Sequence, residues 1–276
     1  MDVRVNSRLL SAIRIATGLL FFQHGAEKIW GFAGGQIDHR FLTLHGFAGP
    51  LEVIGGALIV FGLFTRYAAF ILCGQMAVAY FDQWAGRGLF PVSNGGEEAV
   101  IFCFTYLWFV TAGGGSWSLD QRIGDSRLGA FLSGWEAWGR GIMRIVLAFT
   151  FTLHGYRHVF GLFPKSAGRA AVVPLAMDKL PAFFGWWEIA GGLLLLLGLL
   201  TRFSAALTCL ELITAYLFVS VPRGIWPLRN GGNETLMYLV VFLFLAACGA
   251  GALSVDALLP SHRKVGKQAA AAAAGT

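Results

Sequence analysis

The sequence predicts an all-α integral membrane protein whose eight transmembrane helices form two parallel four-helix repeats. Three observations carry this. Of the 276 residues, 56% are hydrophobic and only 13% charged, against about 45–50% and roughly 25% in soluble domains. The apolar residues gather in runs of the length that crosses a bilayer, for which about 20 residues are needed. The polar residues between and within those runs recur at a constant offset. Eight spans leave room for short loops and no large extramembrane domain. The net charge of +6 comes from Lys and Arg at the ends of apolar stretches, as membrane-flanking residues do, so nucleic acid is excluded as a partner and the lipid bilayer takes its place.

The first run, 9–30, follows Arg4 and Arg8 and includes Arg14. It lacks a small-x-small cleavage site and continues into His24, Glu27 and Lys28, so it reads as an uncleaved first helix and not as a signal peptide. Runs at 48–64, 67–85 and 97–113 complete a first repeat, 1–113. A polar linker, 114–140, carries Asp120, Arg122, Asp125 and Arg127. The second repeat, 141–260, has runs at 141–161, 182–200, 203–222 and 234–252. The segment 261–276, Ala-rich from Gln268, is expected to be disordered. Cys73, Cys103, Cys209 and Cys248 all lie inside apolar runs without a C-x-x-C spacing, as small buried hydrophobes do.

Internal repetition is explicit. Arg14, Phe21, His24, Gly25 and Gly31 recur 130 positions later as Arg144, Phe151, His154, Gly155 and Gly161. After a longer loop the offset becomes 136: Glu52, Gly55, Gly56, Gly62, Thr65 and Arg66 match Glu188, Gly191, Gly192, Gly198, Thr201 and Arg202. The register then holds through Asn94-Gly95-Gly96 and Asn230-Gly231-Gly232, Glu98 and Glu234, and Asp120 and Asp256. An even number of helices per unit makes the repeats parallel, related by an axis along the membrane normal. Lys and Arg number 12 on the side holding both termini, the linker and the turns at Arg66 and Arg202, against 9 on the other, which places both termini in the cytoplasm.

This topology sorts the polar residues by membrane face. His24, Lys28, Glu52, Asn94 and Glu98 meet at the outer face, and His154, His158, Glu188, Asn230 and Glu234 repeat them. Arg14, Arg66 and Asp120, with Arg144, Arg202 and Asp256, meet at the inner face, where an Arg–Asp clasp between turn and helix end is expected and Arg14 and Arg144 either join it or snorkel. His24 and Lys28 share a helix face, as do His154 and His158. The i, i+4 histidine pair is a weak metal candidate, completed by Glu188 or Glu234; otherwise these histidines are interfacial hydrogen-bonding groups or proton carriers suited to a quinone carbonyl. Glu52 and Glu188 serve equally well as partners of helix dipoles or as functional intramembrane carboxylates. Asn94 reads as a helix N-cap with Glu97 in capping-box position. Glu211, opposite Gln75 in the first repeat, lies near mid-helix, where an ionised carboxylate costs about 2.5–3.5 kcal/mol; it is expected to be buried and to face the bundle. The paired glycines allow close helix packing.

Together, Arg14…His24-Gly25…Lys28, Glu52-x-x-Gly55-Gly56…Gly62-x-x-Thr65-Arg66, Asn94-Gly95-Gly96-Glu97-Glu98 and Ser118-x-Asp120 resemble the DoxX family of four-helix bacterial membrane proteins. The second half resembles it again, departing at His158 for the lysine, Asn233 for the first glutamate and Arg157 for Glu27. The resemblance implies a bacterial plasma-membrane protein associated with oxidoreductases, the family's namesakes looking like the membrane part of a thiosulfate:quinone oxidoreductase. On that reading His24, His154, Glu52 and Glu188 handle protons, and Lys28, His158, Asn94, Glu98, Asn230 and Glu234 receive substrate or quinone oxygens. Quinone is the expected cofactor, and a membrane or periplasmic redox protein or a second copy of the chain the expected partner. The sequence carries no flavin, nicotinamide or iron–sulfur signature, while His24 and His154 could serve as paired haem ligands. The alternatives are a non-catalytic membrane anchor for a redox partner and a small-solute transporter with Glu211 in its path.

Overall fold

A computed structural model describes residues 3–35, 37, 43–124, 127–163 and 182–259. Among them, eight long helices make up the body: α1 (Val3–Trp30), α2 (Leu44–Phe61), α3 (Thr65–Gln83), α4 (Glu97–Ala112), α5 (Glu136–Phe160), α6 (Ala182–Leu197), α7 (Thr201–Ala215) and α8 (Asn233–Cys248). The linker expected at 114–140 is itself partly helical, with short helices at Asp120–Ile123 and Arg127–Ser133, before α5 begins inside it. The expected disordered tail, 261–276, lies outside the described residues. Two helices, Asn6–Trp30 and Thr201–Arg223, are long and apolar enough to cross a bilayer, and Gly46–Phe61, Phe183–Leu197 and Asn233–Cys248 are apolar but shorter.

Each long helix packs against its neighbours in the chain, α8 closes the series against α1, and α4 touches α8. The repeats therefore meet through α1, α4, α5 and α8, which carry most of the polar motifs. The burial pattern turns large apolar side chains outward and several charged ones inward. Phe70, Phe81, Phe203 and Phe218 on α3 and α7 and just beyond it are exposed, while Arg14, Arg144, Glu52 and Glu188 are buried. Exposed apolar surface of this extent marks a membrane or interaction surface. At the centre, the Trp108 ring of α4 sits 4.5 Å from that of Phe244 on α8.

Helix α2 ends three residues earlier than the hydropathy run predicts, and the reason is local. Gly62 takes φ +66, the left-handed conformation in which glycine avoids a Cβ clash; its N–H reaches Ile59 O while Leu63 N–H reaches Leu58 O, a paired helix stop. The next helix then starts at Thr65. Asp120 accepts from the backbone N–H groups of Phe64 (2.6 Å) and Thr65 (2.9 Å), and Asp256 accepts from Leu200 and Thr201 at 2.9 Å each. This corrects the expected Arg–Asp clasp: the carboxylates cap orphan helix N–H groups. Arg66 instead donates to Val110 O and Thr111 O. Arg14 and Arg144 do not snorkel; both are fully buried and donate to main-chain carbonyls.

The repeated His-Gly pair has a packing role. A Cβ built on Gly25 would lie 2.7 Å from both Gly49 O and Val53 N of α2, and one on Gly155 would lie 2.6 Å from Ile189 N of α6. These are backbone atoms that cannot rotate away, so Gly25→Ala must push α1 and α2 apart. The expected cost is about 1–3 kcal/mol, read as a lowered thermal unfolding midpoint in detergent.

Candidate functional site

Four histidines and carboxylates from each repeat gather at one end of the bundle, called here the His-bearing end, and they divide into a pair of peripheral sites and a pair of central ones. Each pair obeys the repeat, and each is chemically unequal across it.

The peripheral sites lie within each repeat. In the first, Lys28 Nζ donates to Glu52 Oε1 at 2.5 Å, and Gln75 Nε2 donates to the same oxygen at 3.1 Å. In the second, His158 Nδ1 lies 2.5 Å from Glu188 Oε2. Glu211 takes the place of Gln75. It is buried at 4% exposure, and neither of its carboxylate oxygens has a hydrogen-bond partner among the described residues.

The central sites join the repeats. His24 on α1 meets Glu98 of α4 and Asn233 of α8: its Nε2 is 3.0 Å from Glu98 Oε1 and 3.0 Å from Asn233 Nδ2, and Asn233 Nδ2 also donates to Glu98 Oε1. Gln23 Nε2 holds the other end of the Asn233 amide at 2.7 Å. One imidazole nitrogen, one carboxylate oxygen and one amide nitrogen thus form a closed triangle. With a proton on Nε2 the ring donates to Glu98; without it the Asn233 amide serves both acceptors. Nε2 therefore has a hydrogen-bond partner in either protonation state.

His154 on α5 has a different partner. Its Nε2 is 2.7 Å from Glu97 Oε1 of α4, to which the Tyr238 hydroxyl of α8 donates at 2.5 Å. Thr150 Oγ1 lies 2.6 Å from the same hydroxyl. By the repeat offset, Glu97 and Asn233 are equivalent positions, so His24–Asn233 and His154–Glu97 are the same cross-repeat contact built once with an amide and once with a carboxylate.

Exposure differs across the cluster. Side-chain exposure is 36% for Lys28, 30% for Glu98 and 17% for His24, but 10% for His154, 2% for Glu97 and 1% for Glu188. Lys28, Glu98 and His24 are partly reachable from outside the bundle, as is His158 at 14%, whereas Glu52, Glu97 and Glu188 are closed.

The remaining predicted residues fall as follows. Asn94 does not cap α4, whose N-cap is Gly96; its Oδ1 accepts from Gly96 N at 2.8 Å and its Nδ2 donates to Gly88 O and Tyr80 Oη. Asn230 does the same with Gly232 N and Gly224 O. Both amides hold turns, and Glu97, expected in a capping box, is released from that role to face His154. Glu234 lies in the first turn of α8. His154 and His158 have ring centroids 6.2 Å apart and turn to different carboxylates; among the described residues no group of three or more His, Cys, Asp or Glu is placed to hold a metal ion. Cys73 and Cys103 sit side by side, Sγ to Sγ 3.6 Å.

Gln23, Tyr238 and Thr150, which the sequence does not single out, complete the site, together with Glu97 and Asn233, to which the sequence assigns no site role. Arg157 also stitches the repeats, donating to Val92 O at 2.5 Å, while Arg229 pairs with Glu27 at 3.2 Å. A cavity of about 670 Å³ lies at the opposite end, lined by Arg140, Arg202, Cys248 and Asp256 among others. It is remote from every histidine discussed above.

Comparison with known proteins adds a family. The DoxX family model matches residues 9–83 and 139–221, one segment in each repeat and together more than half of the chain. An uncharacterized protein of Haemophilus influenzae is 38% identical over 123 residues, covering 41% of this chain and 90% of its own length. A second uncharacterized protein of the same organism is 33% identical over 116 residues, covering 37% of this chain and 75% of its own. Each match thus spans about one repeat. No solved structure is significantly similar.

Proposed function

This chain belongs to the DoxX family of membrane proteins, and we propose that it is the quinone-interacting subunit of a plasma-membrane oxidoreductase of the thiosulfate:quinone type. In this reading it crosses the bilayer eight times with both termini in the cytoplasm. The observation that carries it is the His24–Glu98–Asn233 triangle, a partly exposed proton-adaptive group at a lipid-facing bundle's end.

Quinone reduction needs two electrons and two protons. Here a partner that oxidises a reduced-sulfur donor supplies the electrons, two thiosulfates joining as tetrathionate with release of two. This chain supplies protons and binding. The donors that fit a quinone oxygen are His24 Nε2 and the Asn233 amide, with the Lys28 ammonium one helical turn along α1. Glu98 holds the imidazolium form of His24 and so favours loading it. A lipid-soluble head group reaches this side because its residues are the exposed ones, whereas His154 and Glu97 lie behind them.

The test is thiosulfate-dependent reduction of a short-chain quinone by membranes containing the protein and its co-purifying partners. Turnover that is lost in His24→Ala and reduced in Glu98→Gln supports the reading. Wild-type turnover in both variants, or a stoichiometric soluble partner with activity independent of the His-bearing end, reduces the protein to an anchor.

A further inference from the structure

We propose that His158, Glu188 and Glu211 form a proton-binding site in the second repeat, with a proton shared between the two carboxylates, and that Lys28, Glu52 and Gln75 are its fixed-charge counterpart in the first. The inference deepens the proposed function by supplying a proton store, but the site itself does not depend on a quinone.

The three positions are equivalent by the repeat offsets. In the first repeat an ammonium and an amide both donate to one carboxylate oxygen, Lys28 at 2.5 Å and Gln75 at 3.1 Å. One positive and one negative charge balance, and both donors reach Glu52 Oε1 without a titrating proton, while Glu52 Oε2 and Gln75 Oε1 have no partner among the described residues. In the second repeat lysine becomes histidine, and the amide donor becomes a carboxylate that has nothing to donate while ionised. Two ionised carboxylates in one apolar site repel and are poorly solvated, so one of them binds a proton. A proton on Glu211 restores the donor that Gln75 provides, directed at Glu188.

The structure shows the need for it. Glu211 is 4% exposed with both oxygens lacking a hydrogen-bond partner among the described residues. Glu188 on α6 is the charged group acting on it, and His158 on α5 is bonded to Glu188 in turn. No charged group of α8, the other helix against α7, acts on it among the described residues. His158 Nδ1 engages Glu188, while its Nε2 is buried without a hydrogen-bond partner among the described residues. His154, 6.2 Å away between ring centroids, is the next ionisable group toward the central sites.

The experiment compares infrared spectra of the purified full-length protein in lipid nanodiscs, with and without carbon-13-labelled glutamate, for wild type, Glu211→Gln and the double variant His158→Lys with Glu211→Gln. The double variant copies the first repeat's arrangement, so it is expected to fold with an unchanged or raised unfolding midpoint. The wild type should show a label-sensitive protonated-carboxyl C=O band at neutral pH, lost in both variants. A wild type without a band that Glu211→Gln removes would overturn the proposal, as would stabilisation by sodium chloride in place of that band. Thiosulfate-dependent turnover is measured on the same samples: a Glu211 band without wild-type turnover removes the quinone reading and leaves the proton site standing.

Discussion

Arg144→Met is expected to abolish folding, the largest effect of any single substitution in the molecule. Arg144 is fully buried and donates four hydrogen bonds to main-chain carbonyls: Leu195 O (2.5 Å), Leu196 O (2.7 Å), Ala250 O (3.0 Å) and Leu253 O (2.7 Å). The first two are at the end of α6 and the others follow α8, so one guanidinium in the first half of α5 ties down the C-terminal ends of α6 and α8. Leu195 and Leu196 lie in the last turn of α6, where carbonyls lack intrahelical donors and the dipole favours a cation, although Leu195 O also accepts from Gly198 N; Ala250 and Leu253 lie just beyond α8. Methionine fills much of the volume and removes every donor. Each buried group left unsatisfied costs about 1–3 kcal/mol, and removing the charge's own desolvation returns only part of that, so a loss above about 3 kcal/mol is expected. Arg144→Lys should recover little, because an ammonium cannot span four acceptors with a planar fork. Arg14→Met should behave alike, since Arg14 donates to Gly114, Ile59, Val60 and Trp117 in the first repeat. Size-exclusion profiles of the solubilised protein check this: a monodisperse Arg144→Met protein with the wild-type unfolding midpoint would contradict it.

His24→Ala is expected to lower thiosulfate-dependent quinone reduction by about 10²-fold or more, the range over which a positioned acid–base group contributes, while leaving the fold intact. The ring is 17% exposed and lies at the bundle's end, so its loss opens space to solvent and lipid and not a sealed void. Glu98→Gln should have a smaller effect with the same sign: the amide keeps a hydrogen bond to the triangle but no longer favours the charged imidazole. His154→Ala separates the two histidines. It strips the buried Glu97 of a partner and is expected to act mainly on stability, with turnover per folded molecule changed less than in His24→Ala. Equal loss of turnover per folded molecule in the two alanine variants would show that both halves take part in the same way.

Much of this architecture is legible in the residues because the repeat is written in polar and special positions. The offsets 130 and 136 place His24, Glu52 and Glu98 at one end before any coordinate is known, and the structure brings them there. What escaped was the set of contacts between repeats. Asn94-Gly95-Gly96-Glu97 has the spacing of a helix cap, and only the neighbouring α5 shows that Glu97 turns away to His154. Asn233 looks like a degraded copy of Glu97, yet it is the amide that lets His24 and Glu98 share a site. Arg14 and Asp120, close together at one end, invite an ion pair; in fact both are drawn to unsatisfied backbone groups, which a side-chain pattern does not display.

Site-directed labelling with a photoreactive quinone tests the central claim most directly, because the His-bearing cluster and the 670 Å³ cavity lie at opposite ends of the bundle. After illumination of the protein in nanodiscs and peptide mass mapping, label should appear on the C-terminal half of α1 and the first turns of α4 and α8, be displaced by excess unlabelled quinone, and fall in His24→Ala. Displaceable label confined to Arg140, Arg202 and the chain from Cys248 to Ala252, with His24→Ala unchanged, would contradict it.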